Sequence, residues 1–453
     1  MKTASDNIDM LNGGLWRKIL LFAMPLFLSG ILQQSFNTVD IAVVGRWAGR
    51  EALAAVGNNS MVIGLIVNLF IGISVGANVV VANYIGQSNN AGIAKAIRTS
   101  AVVAIVSGIV LFLLVTAVSR PLLRWIDTPA EVTGHALLYL RIFAVGLPFM
   151  MIYNFGSAIL RSRGDTKRPF YALVISGAIN AALNLLMVIG FGMGVAGVAI
   201  ATVIANIVNA VLIVCYLVRE PVPFKLSIKD FACDLPDLRK ILQIGLPAGL
   251  QGMVFSISNI FILSTINGFG AAAAAGSSAA VNFEYYCFFA VSAFAQAAVA
   301  FTSQNFGAGK YDRCRMVFRI SLLLSLIFCA VLNLFIVWHR NFFVGLFTTD
   351  PDVLHFAATR VEYVLTFHFI LSSYEISGAV LRGLGYSMTP TALTVFGTCV
   401  FRLAWVWCIT RYGGSYEQLM SVYPVSWILT GILVYVAYRI VSNRVLNSKT
   451  ILA

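Results

Sequence analysis

Ser29, Gln33, Asn37 and Asp40 punctuate an apolar stretch that runs from about Trp16 to Val44. Spaced four, four and three apart, they fall on one face of a helix and form a polar stripe. At about 1.5 Å per residue the stretch can cross a hydrocarbon layer of ~30 Å. Asp40 is its only acid. An ionised carboxylate at that depth costs about 2.5 to 3.5 kcal/mol even on the lenient insertion scale, so it faces a cavity or a partner. Uptake of a proton or a cation removes that cost and can be linked to another event. The alternative is an Asp packed inside a helix bundle with no coupling role. Gln33, Gln34 and Asn37 are placed to shape its surroundings.

Further polar groups recur inside apolar stretches. Asn180 and Asn184 lie one turn apart, and Thr202, Asn206 and Asn209 are spaced four and three. Each set marks one helix face able to meet Asp40, although amides also join membrane helices at about 0.6 kcal/mol per contact. In the second half, Glu284 and Glu375 each sit within an apolar run, and Arg402 lies near the middle of another. An unpaired Arg there is costly, so Arg402 is expected to be the counter-ion of one glutamate. The other glutamate is then free to bind a cation or a cationic substrate. Asn206 and Tyr153 join Gln33, Gln34, Glu284, Glu375 and Arg402 as candidates for substrate contact. The four histidines (His135, His339, His355, His368) stand singly, and the seven cysteines show no metal or paired spacing. No metal site, cofactor or nucleotide site is expected.

The elements that must position these residues follow from composition. The chain has 453 residues, 59% of them hydrophobic and 11% charged, with mean hydropathy +0.87. A soluble domain would expose too much apolar surface, so an all-α polytopic membrane protein is expected. Spanning runs fall at about 16–44, 53–82, 97–118, 132–160, 169–190 and 195–218, then 238–265, 277–303, 317–338, 353–381, 390–411 and 422–441. These predict twelve transmembrane helices in two pseudo-symmetric six-helix lobes, residues 1–222 and 238–453, joined by a linker at 223–237. No cleaved signal peptide is expected at the polar amino end.

Arg46, Arg50, Arg120, Arg124, Arg340, Arg360 and Arg411 are assigned to loops on one side. The many remaining loop bases, among them Lys2, Lys95, Arg161, Lys167, Lys229, Lys310 and Lys449, lie on the side of the termini. That bias predicts two cytoplasmic termini. The net charge of +13 therefore reflects topology, and nucleic-acid binding is not implied.

The halves repeat. Pro25 matches Pro247 and Asn37 matches Asn259; with a one-residue shift, Tyr153 matches Tyr374. Leu160-Arg161-x-x-Gly164-x-x-x-x-Pro169 matches Leu381-Arg382-x-x-Gly385-x-x-x-x-Pro390. Two copies of six spans point the same way, the arrangement of a two-lobed transporter.

The chain resembles the MATE (multidrug and toxin extrusion) family of the multidrug/oligosaccharidyl-lipid/polysaccharide exporter superfamily, from about Trp16 to Tyr438. The resemblance is carried by Gln34-x-x-Asn37-x-x-Asp40-x-x-x-x-Gly45, Leu160-Arg161-x-x-Gly164-Asp165-Thr166-Lys167-x-Pro169, Gly194-Val195-Ala196-Gly197 and Ser303-Gln304-Asn305-Phe306-Gly307-Ala308-Gly309. It implies export of organic cations and other amphipathic compounds, in exchange for protons or sodium ions, through a cleft that opens alternately. It also implies that Asp40 is the coupling acid. The family's fifth-helix pair, usually Asn followed by an acid four residues later, falls on Asn180 and Asn184, so one charge of that pattern is replaced by an amide. Glu284 and Glu375 resemble its second-lobe acids.

The expectation is a monomeric, multi-pass antiporter of the inner membrane, in contact with lipid and small organic cations, and not an enzyme. Asp40, Asn37, Asn180 and Asn184 would couple the cation. The rival reading is a flippase for lipid-linked saccharides. It would need a basic cleft, whereas Arg within the spans was expected only at Arg141 and Arg402.

Overall fold

A computed structural model of the chain describes residues 7–125, 129–227, 232–346 and 348–447. Lys2, Lys229 and Lys449 of the charge count, and part of the expected linker, lie outside the described residues. Twelve helices are long and apolar enough to cross a membrane. In chain order they are α1 (Leu15–Trp47), α2 (Arg50–Gly86), α3 (Asn90–Trp125), α4 (Ala130–Ser162), α5 (Lys167–Gly190) and α6 (Gly194–Val218). Then follow α7 (Leu235–Asn267), α8 (Ala271–Gly307), α9 (Tyr311–Trp338), α10 (Pro351–Gly383), α11 (Met388–Tyr412) and α12 (Tyr416–Asn447). The described residues contain no strand. With lipid outside, a helix satisfies its own backbone polar groups, which is why apolar runs of this length take this form.

The sequence repeat is also a repeat of backbone geometry. After α4, Gly164 N–H donates to Arg161 O at 3.0 Å and Asp165 N–H to Leu160 O at 3.1 Å. After α10, Gly385 N–H donates to Arg382 O at 2.9 Å and Tyr386 N–H to Leu381 O at 2.8 Å. Gly164 and Gly385 sit at φ +93° and +92°, a conformation in which a Cβ is strained, so glycine is needed at both turns. The turns after α2 and α8 match as well: Asn89 N–H donates to Tyr84 O at 3.0 Å, and Lys310 N–H to Asn305 O at 2.8 Å.

The compact units do not divide at the linker as expected. One comprises Met1–Ile8 and Leu28–Gly249, the other Asp9–Phe27 and Leu250–Ala453. The first turns of α1 thus belong with the second half of the chain, and the first turns of α7 with the first half. In the second unit Phe22 of α1 meets Phe301 of α8 edge-on at 5.6 Å between centroids, and Asn305 donates to Met10 O at 3.1 Å. In the first unit α7 is held against α2 by backbone contact. A Cβ on Gly249 would lie 2.0 Å from Leu69 O, and one on Gly72 2.2 Å from Gly249 Cα. At the end of the same contact Tyr84 donates to Asp237 at 2.7 Å. Close approach at small residues is how helices gain packing energy where lipid removes the hydrophobic drive.

Four of the cysteines are buried, while Cys215, Cys233 and Cys408 are exposed. Replacing Gly249 with Val should push α7 off α2 and lower stability by about 1–3 kcal/mol or more, the ordinary cost of overpacking. Gly64→Ala, in open space on α2, should cost nothing. Melting of the two variants in detergent checks the contrast.

Candidate functional site

The first-half polar residues converge within the Leu28–Gly249 unit. Asn184 of α5 donates through Nδ2 to the Asp40 carboxylate of α1. The same amide reaches Asn180 Oδ1 at 3.3 Å, and Asn180 Nδ2 reaches Thr202 Oγ1 of α6 at 3.5 Å. A single polar ladder therefore links α1, α5 and α6. Its local basis is steric: a Cβ on Gly177 would lie 1.7 Å from a ring carbon of Phe36. Only glycine there lets α5 come close enough to α1 for an asparagine two turns on to touch Asp40. Asn184 also stands at the end of the regular part of α5, before a π-helical segment at Leu185–Gly190. Such segments often accompany functional positions because they re-aim side chains.

Asp40 is partly buried, and among the described residues no Lys or Arg pairs with it. Asn180 and Asn184 are buried, and Asn184 Oδ1 has no hydrogen-bond partner. The site thus offers a carboxylate and an unused amide oxygen next to it, an acceptor set for a proton or a small hard cation. Tyr139 of α4 lies within electrostatic reach of Asp40. No group of three or more metal-ligating side chains occurs among the described residues.

The other candidates are placed differently. Asn37 and Gln33 are exposed, and Gln34 contributes its backbone oxygen to Thr38 at 2.9 Å; none of the three joins the ladder. Asn206 is half-buried on α6, with its amide 3.2 Å from where a Cβ on Gly146 of α4 would stand. Tyr153 donates to Pro169 O at 3.4 Å and so ties α4 to the start of α5.

The expected role of Arg402 is corrected. Glu284 is paired with Arg360, through Nε at 2.6 Å and Nη2 at 3.0 Å, and Arg402 pairs with neither glutamate. Arg402 instead donates to Ser426 at 3.0 Å and lies over the rings of Tyr423, Phe255 and Trp427 at 4.7, 5.2 and 6.0 Å. Arg382 is the cation acting on Glu375, and it also donates to Gln251 at 2.6 Å. The sequence assigns Arg360 to a loop. It lies within α10, buried, directly before a π-helical segment at Val361–Leu365, and it also donates to Ser277 at 3.1 Å and Tyr423 at 3.2 Å. Its position inside the apolar run at 353–381 was the available signal. Arg141, also expected within the spans, is exposed.

The MatE family model matches this chain twice, over residues 25–186 and 247–407. The chain belongs to the MatE family. Both matches together cover well over half its length, and their starts repeat the Pro25/Pro247 register. Among curated proteins, this MatE chain is similar to "Probable multidrug resistance protein YoeA" of Bacillus subtilis, 28% identical over 95% of this chain and 94% of that protein. It is 26% identical to "Probable multidrug resistance protein NorM" of Thermotoga maritima, over 87% of this chain and 86% of that one. It is also 25% identical to a protein named "FAD transporter" of Shewanella oneidensis, over 95% and 96%. A solved MATE structure in a bent conformation superposes with TM-score 0.90 at 20% identity, covering 98% of this chain and 99% of that one. With its twelve spans, this is a multi-pass membrane protein of a transporter family associated with multidrug efflux, and its relatives act on small molecules.

The ion pair yields a prediction. Glu284→Gln or Arg360→Met alone strands a buried charge and should lower stability by about 3–5 kcal/mol, whereas Glu284→Leu with Arg360→Met should recover most of the loss. Thermal melting of the single and double variants in detergent measures the coupling.

Proposed function

We propose that this chain is a secondary antiporter of the cell (inner) membrane that exports amphipathic, mostly cationic compounds in exchange for protons or sodium ions. The carrying observation is the Asp40–Asn184–Asn180–Thr202 ladder: one carboxylate, held by an amide, without a basic partner. Empty, the carboxylate carries a charge that a dry helix bundle tolerates poorly; loaded with a proton or cation, it does not. Loading therefore shifts the packing of α1 against α5 and α6 between two states, and a substrate that prefers one state is coupled to the ion. Because α1 contributes residues to both compact units, it is suited to carry that shift into alternating access. Asn180 and Asn184 hold Asp40, and Thr202 anchors their far end.

Several finer features belong to the same reading. Both termini are cytoplasmic, on the bias of loop bases, and the monomer is the working unit. Glu284 is excluded as a holder of cationic substrate because Arg360 uses both its oxygens; Glu375 is the second-half acid that keeps that role. The flippase reading gains little from Arg360, whose charge Glu284 meets.

The test uses proteoliposomes loaded with a fluorescent cationic dye, under an imposed proton gradient and then a sodium gradient. Wild type should move dye under one gradient, and Asp40→Asn should reduce that movement at least tenfold, with Asn184→Ala intermediate. Equal gradient-driven movement in Asp40→Asn at every pH and sodium level would sink the proposal.

A further inference from the structure

In the Leu250–Ala453 unit, buried guanidinium groups outnumber the carboxylates that meet them. Arg360 and Arg402 are 4% and 1% exposed. They flank one ring, that of Tyr423, at 5.3 and 4.7 Å. Both oxygens of Glu284 go to Arg360, and Glu375 lies within electrostatic reach of Arg382. That leaves Arg402, permanently charged, with ring faces and one hydroxyl. The hydroxyl is itself directed: Ser426 donates to Tyr423 O at 2.8 Å and accepts from Arg402 Nε. Arg402 Nη2 is buried and has no hydrogen-bond partner.

A second buried polar atom nearby is in the same condition. His368 of α10 is 3% exposed, its Nδ1 has no partner, and its ring stands edge-on to Trp427 at 5.3 Å. Arg402 is close enough to act on it electrostatically. Two nitrogens able to donate, on different helices beside one tryptophan, are thus unused where an unmade hydrogen bond is costly. Aromatic faces offset part of the guanidinium's charge, but they supply no acceptor.

We propose that Arg402 and His368 form an anion-binding site that takes the carboxylate of an aromatic or amphipathic compound, with Phe255, Tyr423 and Trp427 receiving its apolar body. A guanidinium matches the two oxygens of a carboxylate in geometry and charge. The rings explain why an organic acid fits better than a bare inorganic anion, which has nothing to place against them. Both donors are enclosed in the conformation described, so the site fills as the helices around Trp427 part. This inference assumes a transporter that handles small molecules but not the antiport reading, since Asp40 takes no part in it.

The test is binding of benzoate to the purified full chain in detergent, at low chloride, by calorimetry and by melting temperature. Saturable binding of about one benzoate per chain is expected, with a raised melting temperature. Benzamide, neutral and nearly the same shape, should do neither. Arg402→Gln should weaken benzoate binding at least tenfold, and Arg402→Lys should restore part of it. An absence of saturable benzoate binding to folded wild type, or an equal effect of benzamide, overturns the proposal without recourse to a variant. Undiminished binding by a folded Arg402→Gln also overturns it. Chloride or sulfate binding as tightly as benzoate would show an inorganic anion site and overturn the carboxylate assignment.

Discussion

A charge inside a hydrocarbon-facing bundle must be matched, neutralised or given a ligand, because leaving it alone costs several kcal/mol. The polar interior of this chain can be read as three answers to that constraint. Glu284 and Arg360 match each other in a two-bond pair, with Ser277 and Tyr423 taking further donors of the same guanidinium. Among the described residues, Asp40 pairs with no base and is held by Asn184, and Arg402 pairs with no acid and is held by Ser426 and aromatic faces. The matched pair is a structural element. Asp40 and Arg402 are places where a ligand would lower the free energy, and a ligand is proposed for each.

The duplicated architecture sharpens the contrast. The turns after α4 and α10 superimpose in hydrogen bonding and in the φ of Gly164 and Gly385, so the two halves share a backbone plan. Among the described residues the first half holds an acid without a base, Asp40, and the second a base without an acid, Arg402. A common scaffold with different side chains at facing positions is how one fold comes to serve different ligands. Three residues of the polar interior also sit at or near a π-helical segment: Asn184, the donor to Asp40, before Leu185–Gly190, Arg360 before Val361–Leu365, and Arg402 just after Val395–Val400.

Much of this was legible before any coordinates. Twelve spans follow from hydropathy because a bilayer accepts little else, and the repeat follows from turn residues that only glycine satisfies. Asp40, Asn180, Asn184 and Thr202 could be grouped because helical spacing puts them on single faces. Other features required tertiary knowledge. Gln33 and Asn37 share the stripe of Asp40 yet miss its network, since periodicity names a face and not how much of it another helix covers. Arg360 was read as a loop base because it lies near the end of a span, where an arginine usually snorkels outward; Glu284 on α8 turns it inward. The pairing of acids with bases was underdetermined because three arginines and two glutamates have several pairings compatible with their positions along the chain. The sharing of α1 and α7 between units rests on contacts such as Leu69 with Gly249, which no local pattern encodes.

The proposed exchange of an ion at Asp40 as substrate binds is tested by ion release in detergent solution, without membrane or gradient. A cationic dye is titrated into weakly buffered wild-type protein while pH is followed, and then into protein preloaded with radioactive sodium. Release of about one proton or one sodium ion per dye bound is expected, absent in Asp40→Asn. Dye binding with no ion released by wild type, or with the same release by Asp40→Asn, would contradict it.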